Sequence, residues 1–208
     1  MSQTPFVSAV RQAAEARPDS RRRSSPATPV RPWSKGMVMS EVRRLGPADA
    51  AAYRTLRLDA LARHPSAFRA HYDEEAGQDP AAFAARLEAD AIFGSFCGGA
   101  LCGLAGLAIP RARNKGHKGI LSGVYVCPDR RRAGQGLALV GAVIGHARGW
   151  VEQLHAAVVT SAQPARALYR RFGFEPYGLE PRALKVGGQY FDQELLLLRL
   201  DEATRARR

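Results

Sequence analysis

The chain contains no apolar run of bilayer-spanning length. Its longest, Gly99 to Ile109, is punctuated by glycines and is about half the roughly 20 residues a membrane helix needs. The first residues lack the apolar core of a secretory signal. Cysteine is scarce, and Cys97, Cys102 and Cys127 are odd in number with no metal-ligand spacing. They read as buried thiols of a reducing cytoplasm rather than a disulfide framework. His64, His71, His146 and His155 show no ligand spacing either, so no metal is expected. Acidic residues are the minority, 19 against 31 basic, giving a formal net charge of +12. Yet the arginines are scattered, and no basic stripe with interleaved aromatics appears. Attraction to polyanions follows from the charge, but recognition of a specific nucleic acid does not. There is no internal repeat and no heptad run.

What is present fits one catalytic domain with flanking tails. A chain of 208 residues with 46% hydrophobic content can bury a sizeable core. Residues 1–38 differ from the rest. They hold Arg21-Arg22-Arg23, several Ser and Pro, and almost no aliphatic periodicity. Such a segment buries too little to offset its ordering entropy and is expected to be disordered. Residues 1–36 carry seven basic and two acidic residues, so +5 of the +12 lies there. Met37 and Met39 precede the first periodic residues, so a start at Met39 would remove the tail. The body is expected over 39–201, with a charged tail over 202–208.

Along the body, Glu41 to Leu45 reads as a short strand. Pro47-Ala48-Asp49 opens a helix with Tyr53, Leu56, Ala60 and Leu61 on one face, ended at Pro65. Asp79-Pro80 supplies an N-cap and first-turn proline for a helix carrying Phe83 and Leu87. Gly98-Gly99 joins two strands, Ala91 to Cys97 and Ala100 to Ile109, as a hairpin. After a basic loop comes the strand Gly119 to Val126, then a helix over about 134–149. Leu137, Val140, Ile144 and Ala147 form the predicted core-facing stripe of that helix. A strand over about 154–160, a short helix, and strands at Arg182 to Val186 and Gln189 to Leu200 around Gly187-Gly188 complete the pattern.

Two segments carry chemistry. In the first, Val124-Tyr125-Val126-Cys127-Pro128 runs into Asp129-Arg130-Arg131-Arg132-Ala133-Gly134-Gln135-Gly136-Leu137. Glycines one residue apart at a helix start expose consecutive N–H groups, which favour a phosphate. A nucleotide-hydrolase loop would need Gly-Lys-Ser/Thr, where Gln135-Gly136-Leu137 stands. The three-glycine dinucleotide fingerprint is absent too. In the second segment, Gln163 to Phe174 reads as a short helix with Pro164 in its first turn and Gly173 just past its end, with Phe174 opening a strand.

The spacing Arg131-x-x-Gly134-x-Gly136 resembles the acetyl-CoA signature of the GNAT N-acetyltransferases. Ala165-x-x-Leu168-Tyr169-x-x-x-Gly173-Phe174 is similar to that family's other hallmark, and the two stand in the right order. The resemblance covers about residues 41–200 and is to bacterial-type members. It implies an α/β (α+β) fold with a mixed, mostly antiparallel twisted sheet flanked by helices. The implied cosubstrate is acetyl-CoA, and the implied reaction is direct attack of an amine on the thioester. Backbone groups of Val124, Tyr125 and Val126 would hold the pantetheine arm. Arg131, Arg132, Ala133, Gly134, Gln135, Gly136 and Leu137 would hold the pyrophosphate, chiefly by backbone amides. Splaying of this strand from the next would open the groove, with a bulge expected at Gly123. Part of the positive charge would then serve the coenzyme's phosphates.

Tyr169 matches the tyrosine that in many members protonates the departing thiolate, which a phenol can do. An amphipathic core tyrosine is the other reading of that position. Two departures stand out. The family's usual Asn is Ala162 here, with Gln163 beside it as the substitute. The usual Glu that deprotonates the amine is Ile120, which leaves no base by analogy. His117, at the strand's entrance, is a candidate, although a solvated loop histidine fits it as well. The acceptor is a small-molecule amine or a protein amine (lysine or N-terminal), and a non-catalytic acyl-CoA-binding module is the remaining alternative. No membrane partner is implied, a cytoplasmic location is, and a homodimer is an allowed assembly.

Overall fold

The computed structural model describes residues 41–200; the expected tails, 1–38 and 202–208, lie outside the described residues. The first strand, β1 (Glu41–Arg44), leads through a 3-10 turn into α1 (Ala50–Arg63). As the periodicity predicts, α1 buries Tyr53, Leu56, Ala60 and Leu61. The short α2 (Tyr72–Ala76) has no counterpart in the sequence reading, because only one turn of helix lies between two irregular stretches. Asp79 caps α3 (Pro80–Ala89), accepting from the Ala81 amide at 2.7 Å, and Pro80 occupies the first helical position. Then follow β2 (Ala91–Cys97), β3 (Ala100–Ala108), β4 (Lys118–Val126), α4 (Gln135–Ala147), β5 (Gln153–Val159), α5 (Gln163–Arg171), β6 (Glu175–Val186) and β7 (Gln189–Arg199). Among the described residues no helix is long and apolar enough to cross a membrane.

The strands form one seven-stranded sheet in the order β1-β2-β3-β4-β5-β7-β6. Every pairing is antiparallel except that of β4 with β5. That parallel ladder is short. It joins Lys118, Gly119 and Ile120 to Gln153, Leu154 and His155 and then stops. Beyond Ile120 the two strands part, so the edge of β4 facing β5 lacks a strand partner. The expected bulge is also present. Gly123 has φ +65°, and between the pairs Leu104–Tyr125 and Gly106–Ser122 the β4 side carries one extra residue.

Each face of the sheet has its own core. One packs α1 and α3 against the sheet through Leu45, Tyr53, Leu56, Phe83, Leu87, Ile92, Leu104 and Tyr125. The other packs α4 and α5 through Leu139, Val140, Val143, Ile144, Tyr169, Leu154 and Leu196. The stripe of α4 differs from the predicted one. Leu139, Val140, Val143, Ile144 and Ala147 are buried, whereas Leu137 is only half-buried because the first turn stands at the loop beyond β4. Strand β6 starts at Glu175, next to Phe174 where the sequence reading opens a strand, and runs on through the expected Arg182 to Val186 as one element. Pro176, Gly178 and Pro181 interrupt the strand pattern in sequence, but an edge strand accommodates them through two bulges.

Candidate active site

The loop between β4 and α4 is built around two left-handed residues, Arg132 at φ +63° and Gly134 at φ +81°. Glycine adopts that conformation without cost, and an arginine there is uncommon. Gly134 is the N-cap of α4, and no side chain caps the helix. The first helical bond runs from the Ala138 amide to the Gly134 carbonyl at 3.0 Å. The amides of Gln135, Gly136 and Leu137 therefore have no intrahelical acceptor. A Cβ built on Gly134 would meet no atom within 4 Å. The absence of a side chain at this position is thus not dictated by protein packing. It leaves open space in front of consecutive N–H groups at the positive end of a helix.

The side chains of this loop serve the scaffold. Arg131 donates through Nε to the Val126 carbonyl at 3.0 Å, contacts His64 Nε2 at 2.8 Å, and lies over the Tyr125 ring. Burial, with Arg131 alongside, lowers the pKa of His64. Tyr125 donates to Asp59 at 2.7 Å, and burial raises its pKa. Gln135 is buried and reaches the β2–β3 hairpin, donating to Cys97 Sγ at 2.7 Å and accepting from Cys102 Sγ at 3.1 Å. Only Cys102 of the three cysteines is fully buried, so the reading of all three as buried thiols is corrected; Cys97 and Cys127 are half-buried near a strand end. Cys97 and Cys102 face each other across the hairpin at 2.9 Å. Burial pushes the Cys102 thiol up to about 11.

Where β4 and β5 part, a cavity of about 740 Å³ opens through the sheet. On the α4–α5 side its wall includes Val124, Ala162, Ala165 and Tyr169. Tyr169 is 6% exposed, lies against Phe174 with ring centroids 5.6 Å apart, and burial pushes its phenol up to about 12. It therefore holds its proton at neutral pH. On the α1 side the wall includes Tyr53, Arg57, Ile120, Ser122, His155, Tyr177 and Gln193. Ile120 is 44% exposed there. Arg57 is fixed by Glu75, whose carboxylate accepts from Arg57 at 2.9 and 3.1 Å and from Arg86 at 3.1 Å. Burial alone would raise the pKa of Glu75, but the two guanidiniums outweigh it and hold the carboxyl below its usual range.

Of the predicted residues, Val124 and Tyr169 share this cavity, while Arg131 to Leu137 lie past the end of β4, outside its lining. Gln163 is exposed and is not part of the wall; Ala162 is. His117 does not line the cavity either. Its carbonyl accepts from the Glu152 and Gln153 amides and anchors the start of β5. Sequence reasoning missed His155, Tyr177 and Gln193. Two of these leave buried polar atoms unpartnered among the described residues, His155 Nε2 and Gln193 Oε1. No local motif marks them, because β4–β5 register and a β6 bulge bring them to the cavity.

Solved structures share this architecture. A GNAT-family acetyltransferase from Streptococcus pneumoniae superposes with a TM-score of 0.70 at 20% identity, over 77% of this chain and 99% of that one. The yncA protein of Salmonella typhimurium, solved with its cofactor acetyl-CoA, gives 0.66 at 23% identity, over 78% and 94%. A ribosomal-protein-alanine N-acetyltransferase from Brucella melitensis gives 0.67 at 24% identity, over 77% and 99%. At these identities the likeness is one of fold. No curated protein matches the chain in sequence. The sequence profile of the acetyltransferase (GNAT) family matches residues 52–174, which spans both motifs and the splayed strands, and the chain belongs to that family.

Proposed function

We propose that the protein moves the acetyl group of acetyl-CoA to a primary amine, of a small molecule or of a protein, by direct attack. The observation that carries this reading is the uncapped turn at Gly134, with its positive φ, free amides and open space where a Cβ would project. That arrangement fits a pyrophosphate. The Arg131 to Leu137 segment would hold it through backbone amides, since the side chains of Arg131 and Gln135 are engaged elsewhere. The unpaired edge of β4 at Val124, Tyr125 and Val126 suits an extended pantetheine arm, although the Val126 carbonyl already accepts from Arg131. Gln163, exposed at the start of α5, would add a polar contact only by reaching over Ala162. The yncA structure with acetyl-CoA supports the same cosubstrate on the same fold.

Tyr169 would donate its proton to the sulfur as the C–S bond breaks. Its position in the wall beside Ala165 and its retained proton both suit that role. Direct attack, rather than an acetylated cysteine, is supported by two of the three thiols. Burial raises the pKa of both Cys102 and Cys127, which leaves them poor nucleophiles at neutral pH. The test is thiol release from acetyl-CoA in the presence of an amine panel, with mass detection of the products. Amine-dependent release with an acetylated product is expected. Tight CoA binding with no release across the panel would make the protein an acyl-CoA-binding module instead.

A further inference from the structure

Resting on the transferase reading above, we propose that His155 is the general base that takes the proton from the attacking amine. Four observations converge on it. In the β4–β5 ladder His155 stands opposite Ile120, so the two share one face of the sheet. Ile120 is an exposed apolar wall residue that can accept no proton. The alternation of β5 sends Leu154, Ala156 and Val158 into the α4–α5 core and leaves His155 on the opposite face, in the cavity wall. Its Nε2 is closed to bulk solvent and has no partner among the described residues. A buried polar atom is normally satisfied, so Nε2, on a residue of the cavity wall, is left to pair with a molecule that a small shift of the ring would admit.

The other ring nitrogen is fixed. Nδ1 lies 3.2 Å from the Tyr177 hydroxyl, and the two rings meet edge to face with centroids 5.5 Å apart. Tyr177 is the extra residue of a bulge in β6, between Pro176 and Gly178, which re-aims its side chain at β5. In the tautomer with the proton on Nδ1, that nitrogen donates to the Tyr177 oxygen. Nε2 then keeps a lone pair, and Tyr177 acts as the positioning residue. Burial, with Lys118 and His117 adding to it, lowers the pKa of His155, so it is neutral at pH 7. Among the described residues, those two and Tyr177 are the titratable groups that act on it; β7 contributes the apolar Leu197 opposite.

The step balances. His155 Nε2, directly or through one water, first takes one proton from the ammonium. The neutral nitrogen then forms a bond to the acetyl carbon, the C–S bond breaks, and the Tyr169 proton passes to the thiolate. The second N–H proton lost by the nitrogen returns through water to Tyr169, and His155 releases its proton to solvent.

The experiment compares two amines of similar shape at pH 7, benzylamine (an ammonium that must lose a proton) and aniline (already neutral). In the full chain, His155→Gln should lower benzylamine-dependent turnover by about 10²-fold or more. The loss with aniline should be at least tenfold smaller, and calorimetric CoA affinity should stay within about twofold, which also reports the fold. Wild-type kcat/KM for benzylamine should fall on an acidic limb below pH 6.5, and Tyr177→Phe, which keeps the imidazole, should move that limb. Equal losses with both amines, or a limb unmoved by Tyr177→Phe, would make His155 structural while the transferase reading stands. No transfer by wild type to these two or to any amine of the panel above, with CoA bound, would overturn that reading and the base together.

Discussion

The two halves of the candidate site are made in different ways. The coenzyme end, as proposed, is a backbone device beyond the cavity: two left-handed residues, an uncapped helix and an unpaired strand edge, with the side chains of Arg131 and Gln135 turned into the scaffold. The proposed acceptor end, in the cavity wall, is a side-chain device. Arg57, Ile120, His155, Tyr177 and Gln193 come from five different elements. A backbone device tolerates side-chain change but not a change of φ or of the space in front of the amides. A side-chain device fails one residue at a time, and each failure shows in chemistry or stability rather than in coenzyme affinity.

The sharpest way to separate the two ends is at Tyr169, between them. Tyr169→Phe keeps the ring against Phe174 and removes only the proton donor. Turnover should fall by roughly 10²–10⁴, with CoA affinity unchanged by calorimetry. Turnover near wild type would leave Tyr169 a core residue alone.

The acceptor end also depends on a buried ion triad. Glu75→Ala would strand Arg57 and Arg86 without their carboxylate, and breaking such a pair costs about 3–5 kcal/mol. Urea denaturation should show that loss. A variant as stable as wild type would mean that water replaces the carboxylate there.

A much smaller effect is expected far from either end. The Arg43 guanidinium, hydrogen-bonded at 2.7 and 2.8 Å, holds Asp49 down at about 2. The folded value lies below the ordinary 3.8, so this stabilisation is present above about pH 4 and is lost as pH falls toward 2. The pair is largely exposed, so solvent screens most of it. Asp49→Asn should flatten the acid limb of a Tm-against-pH curve slightly and leave the neutral Tm almost unchanged.

The same contrast explains what was legible in the sequence. Gly134, Gly136 and Gly173 announce backbone geometry within a few residues, so the turn before α4 and the end of α5 are legible locally, and the family resemblance adds the Gly123 bulge and the splayed strands. Tyr53, Leu56, Phe83 and Leu87 report their burial through helical spacing. The acceptor end has no such local signal. His155 acquires meaning only from its register with Ile120, and Tyr177 only from a bulge in a strand whose prolines hide it. His117, the histidine that sequence position favoured, turns out to contribute its carbonyl to β5 rather than its ring to the cavity. The core assignment of Leu137 fails for a related reason. Leu137 satisfies the apolar period, but the helix enters the core only from Leu139.

The central claim, that a backbone cradle at Arg131 to Leu137 holds acetyl-CoA, is tested most directly by titrating CoA calorimetrically into wild type and Gly134→Asp. The substitution strains a residue at φ +81° and sets a carboxylate in space that no protein atom occupies. Since the added side chain meets no neighbour, the fold should survive. CoA affinity should drop at least about tenfold, roughly 1.4 kcal/mol. Unchanged affinity in a folded Gly134→Asp protein would contradict the account.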